Sequence, residues 1–329
     1  MEVVKLLLTN NNLKLAPLTE EDDTPLFGAV EENNIECVHL FIKDKRCSAS
    51  ILNQRVGGSE TTALVKAVQI RSPVIVRLLI DNPACDINIP NYKGETALMY
   101  AMGPDVEAND DDCNVTENDT TIVHLLLAEA RTKVDLIDNH GRNALSFGFL
   151  ANHLEAIRLF TSDARCTPDL LNKTLIEEDT LLMKAVKDGN EEMVKILASL
   201  PDIDCNAGNP LSYALENNQP NILSLLLTNK TIKIDIGTAL ISACLNQFNQ
   251  CIRYITKDTR CTADILNRKN QFGETALMTA VVYGNTEMVE YLANLPGIDL
   301  KAESDDGKSV KDLVEWQYGK KYANIFKDK

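Results

Sequence analysis

One pattern in residues 273–299 constrains the fold more than any other feature, because it recurs along nearly the whole chain. A short alanine-rich run, residues 275–282, favours a helix, and Gly284-Asn285 signals a turn after it. A second run then places apolar side chains on one helical face, at Met288, Val289, Tyr291 and Leu292. The pattern predicts two short helices joined by a turn.

Eight copies of this pattern share the same columns. The first position of each copy is Thr or Asn: Thr24, Thr62, Thr96, Asn143, Thr180, Asn209, Thr238 and Thr275. The third position is Leu in every copy: Leu26, Leu64, Leu98, Leu145, Leu182, Leu211, Leu240 and Leu277. The sixth position is always Ala or Gly, which allows neighbouring helices to pack closely. We expect these columns to form the core of a stack of helix pairs.

Helix pairs that recur about every 33 residues and open with Thr-Pro-Leu or Thr-Ala-Leu resemble the ankyrin repeat. The resemblance covers about Thr24 to Gly307, and triplets such as Thr24-Pro25-Leu26 and Thr275-Ala276-Leu277 carry it. It implies an all-α fold, an ankyrin-repeat solenoid of stacked helix-turn-helix units with hairpin-like connecting loops. The family's His at the fourth position is absent from all eight copies.

The columns divide the chain into three parts. We expect an N-terminal half-repeat cap at residues 1–23, the repeat array at 24–307, and C-terminal capping helices at 308–329. Within the array, an acidic insertion at residues 103–119 separates the two helices of the third copy. It lacks the central Gly and the ligand spacing of a calcium loop, so we expect a solvated loop without metal.

Composition excludes several classes of function. A formal net charge of −15 disfavours anionic ligands, so nucleic acid is not an expected partner. No apolar run approaches a membrane span, and the first ten residues lack the pattern of a signal peptide. The nine cysteines include no Cys-x-x-Cys pair, which argues against zinc or a disulfide framework. We expect an intracellular monomer, cytoplasmic or nuclear, without membrane insertion, cofactor or metal.

Three long connections share an Asp-x-Arg-Cys motif, at residues 44–47, 163–166 and 258–261. The motif suggests that a block of three repeats was triplicated. Repeats three apart in a stack lie roughly 30 Å apart at about 10 Å per helix layer, so these three cysteines cannot share an ion. We interpret them as packing residues.

No catalytic motif occurs, neither a G-x-S-x-G elbow, nor a phosphate loop, nor an H-E-x-x-H pair, so we expect no enzyme activity. The resemblance implies one modification. Asp86-Ile87-Asn88 and Asp204-Cys205-Asn206 look like the connections that asparaginyl hydroxylases modify. The alternative is that Asn88 and Asn206 hold tight turns through their own side chains.

In such a stack, the fifth, eighth and ninth positions lie opposite the core and line a concave groove. Residues just before the first position are often acidic. The side chains expected to contact a partner are Tyr100, Phe147, Leu150, Lys184, Tyr213, Leu245, Tyr283, Glu95 and Asp179. Our main hypothesis is a non-catalytic adaptor that holds a basic or amphipathic segment of another protein. The rival hypothesis is a structural repeat array without a fixed client.

Overall fold

The computed structural model describes residues 24–103, 119–173, 175–176 and 179–319, together with positions 4, 6, 8–10 and 15. The chain forms two compact units, Met1–Leu181 (unit 1) and Leu182–Lys329 (unit 2). The described residues form twenty helices and one short hairpin, so the all-α prediction is confirmed. The acidic insertion lies almost entirely outside the described residues.

Short helices in pairs build each unit. The elements of unit 1 are α1 Pro25–Glu31, α2 Ile35–Lys43, α3 Ala49–Leu52, α4 Ala63–Gln69, α5 Pro73–Ile80, α6 Ala97–Met102, α7 Thr121–Ala128, α8 Ala144–Leu150, α9 Leu154–Ser162, α10 Pro168–Lys173, β1 Leu175–Ile176 and β2 Asp179–Thr180. From the boundary onward, the elements are α11 Leu181–Lys187, α12 Glu191–Ala198, α13 Pro210–Glu216, α14 Pro220–Thr228, α15 Ile236–Leu245, α16 Asn249–Lys257, α17 Ala263–Leu266, α18 Ala276–Val282, α19 Thr286–Ala293 and α20 Val310–Tyr318. β1 and β2 pair antiparallel, with Leu175 opposite Thr180.

The recurring Thr or Asn starts most first helices because its side chain caps the helix. In five copies the side-chain oxygen accepts a hydrogen bond from the backbone N–H three residues later, at 3.0–3.4 Å: Thr24, Thr62, Thr96, Asn143 and Thr275. The seventh copy differs. Asp235 caps α15 instead, so this helix starts at Ile236, two residues before Thr238.

The predicted core columns are buried in both units. All eight third-position leucines are buried, as are the sixth-position alanines and glycine. Gly148 shows why that column must be small, because a Cβ there would lie 2.8 Å from Met102 Cε. One position of the second helix is also apolar and buried in every copy: Val38, Val76, Val123, Ile157, Val194, Leu223, Ile252 and Val289. These contacts supply the hydrophobic stabilisation of each stack.

Asparagine side chains join consecutive connections. Asn53 Nδ2 donates to the carbonyl of Ala84 at 2.8 Å, and its Oδ1 accepts from the Asp86 N–H at 2.8 Å. Asn267 makes the same pair of bonds to Gly297 and Asp299, both at 2.7 Å. Each bridge satisfies backbone groups that a loop would otherwise leave unpaired.

The Asp-x-Arg-Cys motif builds an arginine clamp. Arg165 binds both carboxylate oxygens of Asp163, at 2.8 and 2.6 Å. Its guanidinium also donates to the carbonyls of Leu127 at 2.6 Å, Thr132 at 2.9 Å and Glu129 at 3.0 Å. Because the last carbonyls of a helix have no partner within it, Arg165 caps the end of α7 from the neighbouring repeat.

The other two motifs make equivalent clamps. Arg46 donates to the carbonyl of Leu8 at 2.9 Å, and Arg260 to that of Leu227 at 3.3 Å. Leu8 and Leu227 occupy the same place in a five-residue segment, Leu-Leu-Leu-Thr-Asn, that occurs twice in the chain. Residues 8–10 therefore stand where a second helix ends in a complete repeat. The motif, which looked like a record of triplication, has a capping function.

Candidate protein-binding groove

Four connections end in a five-residue turn, which we call a finger. They are the Asn91 finger (91–95), the Asp138 finger (138–142), the Asn270 finger (270–274) and the Ser304 finger (304–308). In each, the first N–H donates to the fifth carbonyl at 2.8–2.9 Å. A glycine with positive φ stands fourth in all of them. The first side chain bonds the turn from within, which is the usual role of Asn, Asp or Ser there.

The Asn91 finger is closed by side chains of its own unit. Glu95 Oε2 accepts from the Tyr100 hydroxyl at 2.6 Å and from Asn91 Nδ2 at 2.8 Å. Arg142, from the next finger, forms an ion pair with Glu95 at 3.7 Å and binds Asp138 at 2.8 Å. Its guanidinium carbon lies 4.7 Å from the centre of the Phe147 ring.

This network corrects two placements. Phe147 is only 1% exposed and Glu95 is 0% exposed, so neither side chain lines an open groove. The sequence predicted them as an anchor and a rim charge, because their positions in the repeat usually face the groove. Arg142 covers both, since a guanidinium can stack on a ring while pairing with a carboxylate. Tyr100 is half-buried, and its hydroxyl is used within the network.

Leu150 and Asp179 are the remaining predicted residues of unit 1. Leu150, the last residue of α8, is half-buried. Asp179 is half-buried in β2. Both stay predictions as partner contacts.

Unit 2 contains an open pocket on the side where the groove was expected. Its volume is about 560 Å³. Leu245 and Tyr283, two of the predicted contact residues, line it and are 37% and 48% exposed. One wall is α15, which contributes Thr238, Ile241 and Leu245 at helical spacing, and the end of α18 forms the second. The third wall is residues 268–272 with Glu274.

The more exposed of the two aromatic residues that line this pocket is Phe272, in the Asn270 finger. It is 62% exposed and stands third in the turn. The finger itself is fixed: Asn270 Oδ1 accepts from the N–H groups of Phe272 at 2.8 Å and Glu274 at 2.9 Å. A rigid turn can hold an apolar side chain in water until a partner covers it.

Charges of both signs surround the pocket. Arg268 is paired with Asp235 at 2.6 Å, and Glu274 accepts a hydrogen bond from Asn270 Nδ2 at 3.1 Å. Lys269 is exposed beside them. Residues 182–319 carry eighteen acidic and thirteen basic side chains, so this part of the chain has a net negative charge although the rim of the pocket is mixed.

The two other predicted residues of unit 2 do not line the pocket. Lys184 forms an ion pair with Asp188 at 3.4 Å on α11, one helical turn away. Tyr213 on α13 is half-buried. As a partner contact, each of these two residues stays a prediction.

The asparagines considered for hydroxylation act as bridges. Asn88 Nδ2 donates to the Arg131 carbonyl at 2.9 Å, and its Oδ1 accepts from the Lys133 N–H at 2.8 Å. Asn206 Oδ1 accepts from the Lys233 N–H at 2.7 Å. These bonds support the structural interpretation, because a modifying enzyme would first have to break them.

Burial makes several of the described thiols poor nucleophiles. Burial raises the pKa of Cys85 to about 12 and that of Cys166 to about 11, and Asp163 adds to the second shift. Burial, followed by the charge of the clamp aspartate, also raises the pKa of Cys47 and Cys261. A protonated thiol neither attacks nor binds a metal. No group of three or more possible metal ligands occurs within the described residues.

Sequence reasoning predicted hairpin-like connecting loops but missed their five-residue turns and the exposed Phe272. The available signal was Asn-x-x-Gly-Glu, which occurs at residues 91–95 and 270–274. Asn at the first place and a left-handed Gly at the fourth specify this turn. The exposure of the side chains in between depends on neighbouring repeats, which the motif does not encode.

The paired helices, capped starts and fingers define a helix-repeat protein. Residues 150–237 and 233–304 match the family described as Ankyrin repeats (3 copies). Residues 150–304 of the chain therefore consist of ankyrin repeats. Ankyrin repeats are generally protein–protein interaction modules and typically non-catalytic.

A solved structure described as EF0377, an ankyrin repeat protein, is also similar. It shares 22% identity over 56% of this chain and 96% of its own, with a TM-score of 0.43. The assignment does not depend on this likeness.

In the part of the chain that the structure describes, no helix has the length and apolar character needed to cross a membrane.

Proposed function

We propose that the protein is a non-catalytic adaptor whose concave groove holds a basic or amphipathic segment of another protein, with the unit 2 pocket as the main contact. One observation carries the proposal: Leu245, Phe272 and Tyr283 stay exposed around a preformed pocket. Exposed apolar side chains with a polar rim are typical of protein-binding sites.

The negative charge of unit 2 favours a basic partner. An excess of acidic side chains over residues 182–319 attracts a basic segment and speeds its encounter with the groove. The pocket then takes an apolar side chain of that segment. An amphipathic segment meets both requirements.

Peptide selection tests this proposal without a known partner. A random peptide library is selected on the full chain, and the affinities of enriched peptides are measured by fluorescence anisotropy. We expect enriched peptides to combine Lys or Arg with an aromatic or aliphatic residue. The Leu245→Ala, Tyr283→Ala double variant should weaken their binding by about tenfold or more, as truncation of central anchors does.

Tyr92→Ala is the matched control, because Tyr92 is an exposed aromatic residue on a finger of unit 1. It should leave the affinity unchanged. Equal binding by the parent and the double variant would move the site away from the pocket. If no peptide is enriched relative to a selection without the protein, the hypothesis of a structural repeat array without a fixed client is the better one.

A further inference from the structure

The unit 2 pocket lies beside the point at which the described part of the chain ends. The hydroxyl of Tyr318, the last residue of α20, donates to the carbonyl of Val281 at 3.4 Å. The next two residues, Val282 and Tyr283, line the pocket. The described part of the chain therefore ends close to the pocket.

The composition of residues 320–329 matches the ligand expected for this groove. The segment has four lysines and one aspartate, a net charge of +3, whereas residues 182–319 are negative. Its apolar residues are Tyr322, Ile325 and Phe326. Ten residues can span about 33 Å when extended, so the length of the segment does not restrict it to α20.

We propose that residues 320–329 are an internal ligand, which places Tyr322 or Phe326 in the unit 2 pocket and competes there with a partner. This inference rests on the proposed function of the pocket and adds its regulation. A partner must displace the segment, so the apparent affinity is lowered by the fraction of molecules in which the pocket is free.

A second exposed apolar surface lies near the segment. Trp316 on α20 is 73% exposed, and the sequence analysis expected residues 308–329 to form capping helices at this end. A single side chain on a helix offers one contact surface, whereas the pocket has walls from α15, the end of α18 and the Asn270 finger. More apolar area is removed from water in the pocket.

Site-specific photo-crosslinking in the full chain tests the inference. A benzophenone amino acid replaces Phe272, the protein is irradiated, and the monomer band is mapped by mass spectrometry. We expect links between position 272 and residues 320–329. The same amino acid at Tyr92 is the control, and it should give no link to the segment. A third label at Trp316 reports on the capping alternative.

Links to residues 320–329 from position 316 alone would overturn the inference. Links from position 272 only to another copy would also overturn it, because a second copy would then be the occupant. As an independent readout, Tyr322→Ala with Phe326→Ala should bind the selected groove peptides at least about threefold more tightly. Unchanged affinity would contradict competition. If no groove peptide exists, the proposed function fails, while the links from position 272 still decide where the segment lies.

Discussion

The Asn91 and Asn270 fingers share a backbone turn and a sequence motif, yet their side chains have different surroundings. At the Asn91 finger, Tyr100 and Arg142 bind Glu95, and Phe147 lies beneath the guanidinium. At the Asn270 finger, the side chain at the place of Tyr100 is Thr279, which is buried and donates to the Thr275 carbonyl at 3.1 Å.

The finger that follows each of these two turns also differs. Lys308 of the Ser304 finger stands at the place of Arg142 and is exposed. A lysine lacks the planar fork that lets arginine pair with a carboxylate and cover a ring at once. A Tyr at the fifth position of the repeat and an Arg at the fifth place of the next finger therefore cover the Asn91 finger. With Thr and Lys at those places, the Asn270 finger stays open to solvent.

The largest expected difference concerns the aromatic residues. Phe147→Ala should reduce the free energy of unfolding by about 3–5 kcal/mol, because it leaves a cavity beneath Arg142. Phe272→Ala removes an exposed ring and should change it by less than about 0.5 kcal/mol. Urea unfolding followed by circular dichroism measures both. Similar losses for the two variants would contradict the different surroundings of Phe147 and Phe272.

Arginine clamps occur in both units, so we expect them to contribute equally to the stability of each. Arg165→Ala and Arg260→Ala should each cost about 2–3 kcal/mol, since a clamp aspartate and helix-end carbonyls lose a charged donor. Unfolding midpoints in urea provide the test. A large loss in one variant and none in the other would mean that the units differ in more than their fingers.

A smaller effect isolates the hydroxyl of Tyr100. Tyr100→Phe should cost about 1–2 kcal/mol, because Glu95 loses a buried charge-assisted hydrogen bond. Tyr283→Phe, in the open pocket, should be neutral within about 0.5 kcal/mol. Thermal melts can rank these variants. A neutral Tyr100→Phe variant would show that Asn91 and Arg142 suffice to hold the carboxylate.

The smallest effect is a dependence on pH. Hydrogen bonds from Arg260 lower the pKa of Asp258 to about 2, and those from Arg46 lower the pKa of Asp44 to about 2. Because the pKa of an unfolded aspartate is higher, this stabilisation is complete above about pH 4 and is lost as the pH falls towards 2. In the Asp258→Asn variant, the free energy of unfolding should fall by about 1 kcal/mol less, or by a smaller difference, between pH 4 and pH 2 than in the parent. Unfolding measured at pH 2, 3, 4 and 6 gives the slope. An unchanged slope would exclude Asp258 as a contributor.

The columns of Leu and Ala predicted the helix pairs and their buried faces, because each column reports a contact inside one repeat or with the next. The same columns placed Thr275 at the start of a helix pair, whereas its capping hydrogen bond is a finding of the structure. The burial of Glu95 could not be predicted in this way, since the Arg142 that pairs with it belongs to the next finger along the chain. The position of Arg142 over the Phe147 ring was also not encoded in the columns, because Arg142 lies in the finger and not in a helix. Leu245 and Tyr283 were predicted from their positions, whereas Phe272 lies on a finger that has no counterpart in the helical columns.

The bridges and clamps also give the stack a direction. Asparagines such as Asn53 bind the following connection, while arginines such as Arg165 bind the preceding helix. A connection inside a unit can thus be bonded to both of its neighbours. A connection at the end of a unit has a neighbour on one side only and keeps either the asparagine bridge or the arginine clamp. We expect amide hydrogen exchange to slow stepwise from the outermost connection inward, by an amount that identifies which set of bonds was lost.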